Sequence, residues 1–330
     1  MKPELNSEIK NSTILITGGL GFIGQNLAKT LITDFNCKVR IVDDCSNSAQ
    51  QVHLNLPGES ELYTYSILDF DKFFPLLNEV EYIFHLACVQ MSRSSEIPFH
   101  DMNVNAGGTL GILEYLRNNR SGNFKKFIYS SSSSVYGNSK ELPMNENTPV
   151  SILSQYAGSK LLGENYTILY NKKYGIPTTV LRLSNVYGLR QFASVSVCGV
   201  IGKFIENAIC GKSVSIYGNG EQTRDYTFID DVIDAAIIAS VHPDSDGDIF
   251  NVSTNKETSV NEIISIMKGY FPELTMQHLP ERDIDCVKHR RIDYKKIRDK
   301  LGWKPRIHLE EGVYRTISCF KNHLYKTASL

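Results

Sequence analysis

The amino-acid sequence predicts an α/β protein, a doubly wound parallel sheet followed by a smaller C-terminal lobe. Three observations predict it. Short β-type apolar runs alternate with longer helical patterns through the first half of the chain. A glycine-rich turn follows the first run and leads straight into a helix. After about Val186 the alternation breaks, and a polar, strand-poor stretch begins. Strands and helices that alternate over five or six units imply a parallel sheet covered on both faces.

The expected strands are "TILIT" (13–17), "KVRIV" (38–42), "LYTYS" (62–66), "YIFHLA" (82–87), "KFIYSS" (126–131) and "TTVLRL" (178–183). Between them, helices are expected over Phe22 to Thr33, Phe70 to Leu77, His100 to Arg117 and Ser154 to Tyr174. Beyond "LRQFASVSVCG" come a helix over Val200 to Ile209 and the strand "SVSIYG". The helix of "FIDDVIDAAIIAS" follows, with Asp230 as its expected N-cap. "DIFNVS" reads as a strand, "SVNEIISIMKGYF" as a helix, and "LGWKPRIHLEEGVYRTISCF" as a loop and a closing helix. The organisation expected is a main domain over 1–185, to which 228–253 return, and a lobe over 186–330.

Composition narrows the function. With 42% hydrophobic and 22% charged residues, the 330-residue chain is ordinary for a soluble globular protein. A formal net charge of -1 offers no global attraction for nucleic acid or an anionic membrane. No apolar run approaches the roughly 20 residues that a bilayer span needs. The polar start "MKPELNSEIKNS" lacks a signal-peptide core. The 7 cysteines are scattered without a CxxC pair, and the 8 histidines lack ligand spacing, so no metal site is expected. Reduced thiols in a cytoplasmic protein fit this pattern.

"ILITGGLGFIG" places Gly18, Gly21 and Gly24 between the first strand and its helix. In that context the glycines allow a tight turn, close approach of a pyrophosphate, and close helix packing, with the diphosphate at the helix N-terminus. Asp43, after the second strand, suits an adenosine ribose and repels a 2′-phosphate, which favours NAD over NADP. Asp44 reads equally as a solvated turn residue.

"SQYAGSKLLGE" sets Tyr156 and Lys160 four residues apart, on one helical face. A nearby ammonium favours the phenolate, so Lys160 is expected to lower the Tyr156 pKa. Such a phenol can take a proton from an alcohol as hydride leaves. The same pair also occurs on ordinary solvated faces, and the five serines 130–134 read equally as a polar loop.

The motifs "TGGLGFIG", "DDCSNS", "HLAC", "SSSSVYG", "YAGSK", "LRLSNVYG", "GNGEQTRDYTFIDD" and "LGWKP" are specific when taken together. They run along nearly the whole chain, which resembles the extended short-chain dehydrogenase/reductase family of NAD-dependent sugar-nucleotide epimerases and dehydratases. The resemblance implies a Rossmann-like fold whose smaller C-terminal lobe binds substrate. It puts the catalytic roles on Ser132, Tyr156 and Lys160. Cofactor contacts fall on Gly18, Gly21, Phe22, Ile23, Gly24, Asp43, Asp44, Asn47, Ser48, Ile67, Leu86, Ala87, Asn105 and Ser130, as well as Tyr156 and Lys160. Substrate contacts fall on Ser132, Asn185, Val200, Tyr217, Arg224, Arg282 and His289, with the arginines on a diphosphate. Two positions depart from the pattern: Ser66 stands where an aspartate often meets adenine, and Gly202 replaces a common proline.

Within the family, dehydratases carry an Asp-Glu pair after the catalytic threonine, and decarboxylases a glutamate in "SEVYG". Here those positions are Ser133 and Ser134. Elimination then lacks a carbon base, and the resemblance points to a UDP-hexose 4-epimerase of the UDP-glucose, UDP-GlcNAc or UDP-glucuronate type. A 4-ketoreductase, dehydrogenase or dehydratase of the same family is the alternative, and a non-catalytic NAD-binding sensor a remote one. The family also implies a homodimer paired through the helices near 100–117 and 154–174, and a place in polysaccharide biosynthesis or sugar interconversion.

Overall fold

The computed structural model describes residues 7–46, 58, 60–191, 199–281 and 287–327. Seven parallel strands form one sheet in the order β11-β6-β5-β4-β1-β2-β3. They are β1 (Thr13–Thr17), β2 (Lys38–Val42), β3 (Ser60–Tyr63), β4 (Tyr82–His85), β5 (Lys126–Ser132), β6 (Thr178–Leu183) and β11 (Asp248–Val252). The central strands β4 and β6 are buried along their whole length, whereas the edge strand β3 is mostly exposed. That contrast is why the central strands read as continuous apolar runs.

Alternate side chains of β1 feed opposite cores. Ile14 and Ile16 join the helices Phe22–Phe35 and Ile229–Val241 on one face. Leu15 joins Thr109–Asn119 and Gln155–Tyr174 on the other. This is the period-2 alternation of a strand between two covered faces. The sheet order reverses between β1 and β4, so a crevice opens at their C-terminal ends.

The remaining strands are short. β7 (Asn185–Tyr187) pairs in parallel with β10 (Tyr226–Phe228), and β8 (Val214–Tyr217) in parallel with β13 (Met276–Leu279). β9 (Thr223–Arg224) pairs antiparallel with β12 (Thr258–Ser259).

Several boundaries differ from the sequence expectation. β3 lies two residues earlier than "LYTYS", because register with β2 ends at Tyr63 and leaves Tyr65 and Ser66 to line the crevice. Asp230 is not an N-cap: the helix starts at Ile229 with Phe228 as its N-cap, so Asp230 lies in the first turn. The segment expected as one helix over 100–117 is three pieces: Pro98–Met102, a π-helical segment Asn103–Gly108, and Thr109–Asn119. Among the described residues no helix is long and apolar enough to cross a membrane.

Candidate active site

The turn after β1 builds the first wall of a cavity of about 290 Å³. Gly18 has φ of +67°, and a Cβ there would stand 2.7 Å from Ala87 N. A Cβ on Gly24 would stand 2.5 Å from Gly18 O. Side chains are therefore excluded, and backbone alone faces the cavity at this point. Gly21 is the N-cap of Phe22–Phe35, with no side-chain cap and no acidic residue in the first turn. An uncapped helix start of this kind offers N–H groups and a favourable dipole to a diphosphate.

Asp43 stands at the end of β2. Its Oδ2 accepts from Leu20 N at 2.9 Å and its Oδ1 from Cys45 N at 2.9 Å, so it braces the glycine turn. Burial pushes the Asp43 carboxyl up, opposed by those N–H groups. Asp44 accepts from Ser46 N at 2.9 Å and also lines the cavity. Both carboxylates keep lone pairs that a ribose can use.

The opposite wall comes from the end of β5 and the helix Gln155–Tyr174. Ser154 caps that helix, its Oγ accepting from Ala157 N at 3.2 Å, so Tyr156 and Lys160 occupy the first two turns. Tyr156, Lys160, Ser130 and Ser132 all line the cavity. The Lys160 ammonium stands 4.8 Å over the Tyr129 ring.

The expected low phenol pKa is not what this geometry produces. Burial pushes Tyr156 well above its ordinary value, while a hydrogen bond with Ser132 works against that shift. Burial likewise pushes Lys160 down. Desolvation of each charged form outweighs their proximity along the helix.

A second layer fixes this wall. Asn105 is buried and does not line the cavity: its Oδ1 accepts from Val89 N at 2.7 Å, and its Nδ2 donates to Asp101 Oδ1 at 2.8 Å and Ser159 Oγ at 2.9 Å. The π-helical segment turns it inward, where it ties the loop after β4 to the helix of Tyr156. His85 lies between Thr17 Oγ1 at 2.7 Å and Thr109 Oγ1 at 2.9 Å, and Thr109 donates onward to Asn105 O at 2.7 Å. Thr109 thus accepts from Nε2–H, and Nδ1 is the acceptor. Burial and the Lys160 charge push His85 down to about 3. It stays neutral at physiological pH.

Beneath Ser131, Glu164 accepts from its hydroxyl at 2.8 Å and pairs with Arg182 through two bonds, at 2.5 and 3.1 Å. Arg182 also donates to Tyr136 Oη at 2.9 Å. Sequence reasoning did not single out this network. The four-residue step from Lys160 to Glu164 was the available signal. Cys88, half-buried in the same cavity, was equally unmarked; burial pushes its thiol up and Lys160 pulls it down.

The other expected residues divide. Phe22, Ile23, Ile67, Leu86 and Ala87 line the cavity. Tyr217 and His289 line a second cavity, of about 170 Å³, with Gln222, Glu281 and Lys288. His289 Nδ1 is 3.3 Å from Glu257 Oε1. Arg224 Nη1 donates to Thr223 O at 2.8 Å and Val287 O at 2.9 Å. Asn185 N donates to Asp225 O at 2.9 Å, and Val200 opens the helix Val200–Ile209; neither lines the first cavity. Asn47, Ser48 and Arg282 lie outside the described residues.

Known proteins resemble this chain in sequence and in fold. The family model described as GDP-mannose 4,6 dehydratase matches residues 15–316. A putative UDP-glucose 4-epimerase of Methanocaldococcus jannaschii is 37% identical over 316 residues, covering 94% of this chain and 99% of that protein. The UDP-glucose 4-epimerase of Thermotoga maritima, solved with UDP-glucose, is 34% identical at a TM-score of 0.87, covering 94% of this chain and 99% of its own. The UDP-glucuronic acid 4-epimerase of Bacillus cereus, solved with UDP-glucuronic acid and NAD, is 27% identical at a TM-score of 0.85, covering 94% and 99%. The chain belongs to the GDP-mannose 4,6-dehydratase family, within the extended short-chain dehydrogenase/reductases.

Proposed function

We propose that the protein is an NAD-dependent epimerase acting at C4 of a UDP-hexose. One observation carries the reading. A single cavity joins the uncapped glycine turn and Asp43 to Ser132, Tyr156 and Lys160, and its described lining holds no carboxylate besides Asp43 and Asp44. Those two lie at the glycine-turn end, so among the described lining residues no carboxylate stands beside Tyr156 to abstract a carbon-bound proton for elimination. The names and bound ligands of the relatives support the same substrate class.

The glycine turn and Asp43 hold NAD, which supplies the acceptor and the returning donor of the C4 hydrogen. Tyr156 Oη takes the C4 hydroxyl proton and later returns it. Ser132 Oγ meets the same phenol and steadies it for the transfer. Lys160 lends positive charge to the same cavity wall and a donor for the nicotinamide ribose. Arg224 and Arg282 grip the diphosphate, while the 4-keto sugar turns about that linkage to present its other face. The expected lobe division assigns this grip to residues 186–330.

A homodimer belongs to the same reading. Leu162 and Leu169 on the helix Gln155–Tyr174, with Phe99 and Met102 on its neighbour, form an exposed apolar face. A second copy of that face covers it.

Proton NMR in deuterated water, with UDP-glucose, UDP-GlcNAc and UDP-glucuronate in turn, tests the activity. The expected product is the 4-epimer without deuterium at C4 or C5. Deuterium at C5 overturns the reading, and turnover that requires stoichiometric NADH replaces it with the ketoreductase.

A further inference from the structure

Ser132 ends β5 and is the N-cap of the 3-10 turn Ser133–Tyr136. Its Oγ accepts two hydrogen bonds from one residue: Ser134 N at 3.1 Å and Ser134 Oγ at 2.9 Å. A serine hydroxyl carries one proton and two lone pairs. Both lone pairs are taken, so toward Tyr156, which lines the same cavity, the Ser132 hydroxyl can only donate. A donor to the phenol oxygen favours the phenolate, which is the sense in which this contact opposes burial.

Ser134 itself is 5% exposed and does not line the cavity. It reaches the chemistry only through Ser132. A carboxylate at position 134 could only accept, and would draw the Ser132 proton away from Tyr156.

We propose that Ser134 is a positioning residue: its N–H and O–H saturate the Ser132 oxygen and so aim the Ser132 proton at Tyr156 Oη. The catalytic consequence rests on the epimerase reading; the hydrogen-bond polarity does not.

The test compares wild type, Ser134→Ala and Ser134→Thr by steady-state kinetics on a UDP-hexose and by NMR of protein labelled at tyrosine Cζ, with Tyr156→Phe to assign the signal. In Ser134→Ala, kcat is expected to fall about fivefold to tenfold, with KM within about twofold, for the loss of one hydrogen bond. The acid limb of the rate profile moves up by about half a pH unit to one unit, because the phenol loses its oriented donor. The Tyr156 Cζ resonance shifts, and Ser134→Thr returns both readouts toward wild type. An unmoved Tyr156 resonance in Ser134→Ala overturns the proposal, whatever happens to kcat. Absence of wild-type turnover on every nucleotide sugar counts against the epimerase instead, and the resonance then decides the Ser134 assignment alone.

Discussion

Tyr156 illustrates how burial reshapes a residue that sequence marks only by type. Spacing from Lys160 suggests a lowered pKa, yet the buried phenol is pushed up, and the Ser132 bond is what opposes that push. Activity is therefore expected to rise with pH across the neutral range, since the basic form of Tyr156 gains population as pH increases. In the proposed mechanism, Tyr156→Phe removes the proton acceptor while leaving the ring and the glycine turn in place. The expected loss in kcat is about 10²-fold to 10⁴-fold, with NAD binding preserved, read by turnover and by fluorescence titration. A variant that retains most of its turnover would remove Tyr156 from the mechanism.

At the scale of elements, buried polar groups hold the site-bearing segments against one another. Asn105 and the π-helical segment lock the loop after β4 to the helix of Tyr156. Asp225 does the same in the second half of the chain, accepting from Thr254 N and Oγ1, both at 2.8 Å, and from Ile292 N at 3.3 Å. Burial pushes its carboxyl from 3.8 up to about 6. Between those values the folded chain binds more protons than the unfolded one, so this group costs stability as pH rises. The loss amounts to roughly 2 kcal/mol on going from about pH 4 to about pH 6. Asp225→Asn cannot titrate, so its unfolding free energy lacks this decline. Denaturant unfolding of both proteins over that range measures the difference, and parallel curves would show that Asp225 does not titrate as described.

For the whole molecule, the helices 98–102 and 155–174 carry an apolar face that is exposed among the described residues. Leu169 is 47% exposed and Phe99 is 80% exposed. Leu169→Glu puts a charge on that face without touching the core of the monomer. It is expected to convert a dimer to a folded monomer, with mass read by light scattering and fold by circular dichroism. A wild type already monomeric at micromolar concentration removes the dimer from the proposal.

The sequence determined most of what depends on local pattern. Runs such as "TTVLRL" and the turn "TGGLGFIG" carry their own period and backbone demands, so the parallel sheet and its crevice were legible before any coordinates. That Ser132, Tyr156 and Lys160 meet in one cavity was legible too, because their spacing and motif context are local. Tertiary structure alone decided the rest. It put Asn105 behind the cavity wall, joined Glu164 to Arg182 across 18 residues of chain, and turned Ser134 into a double donor. Hydrogen-bond partners and desolvation depend on what is packed nearby in space. Residues distant along the chain set both, and no periodicity records them.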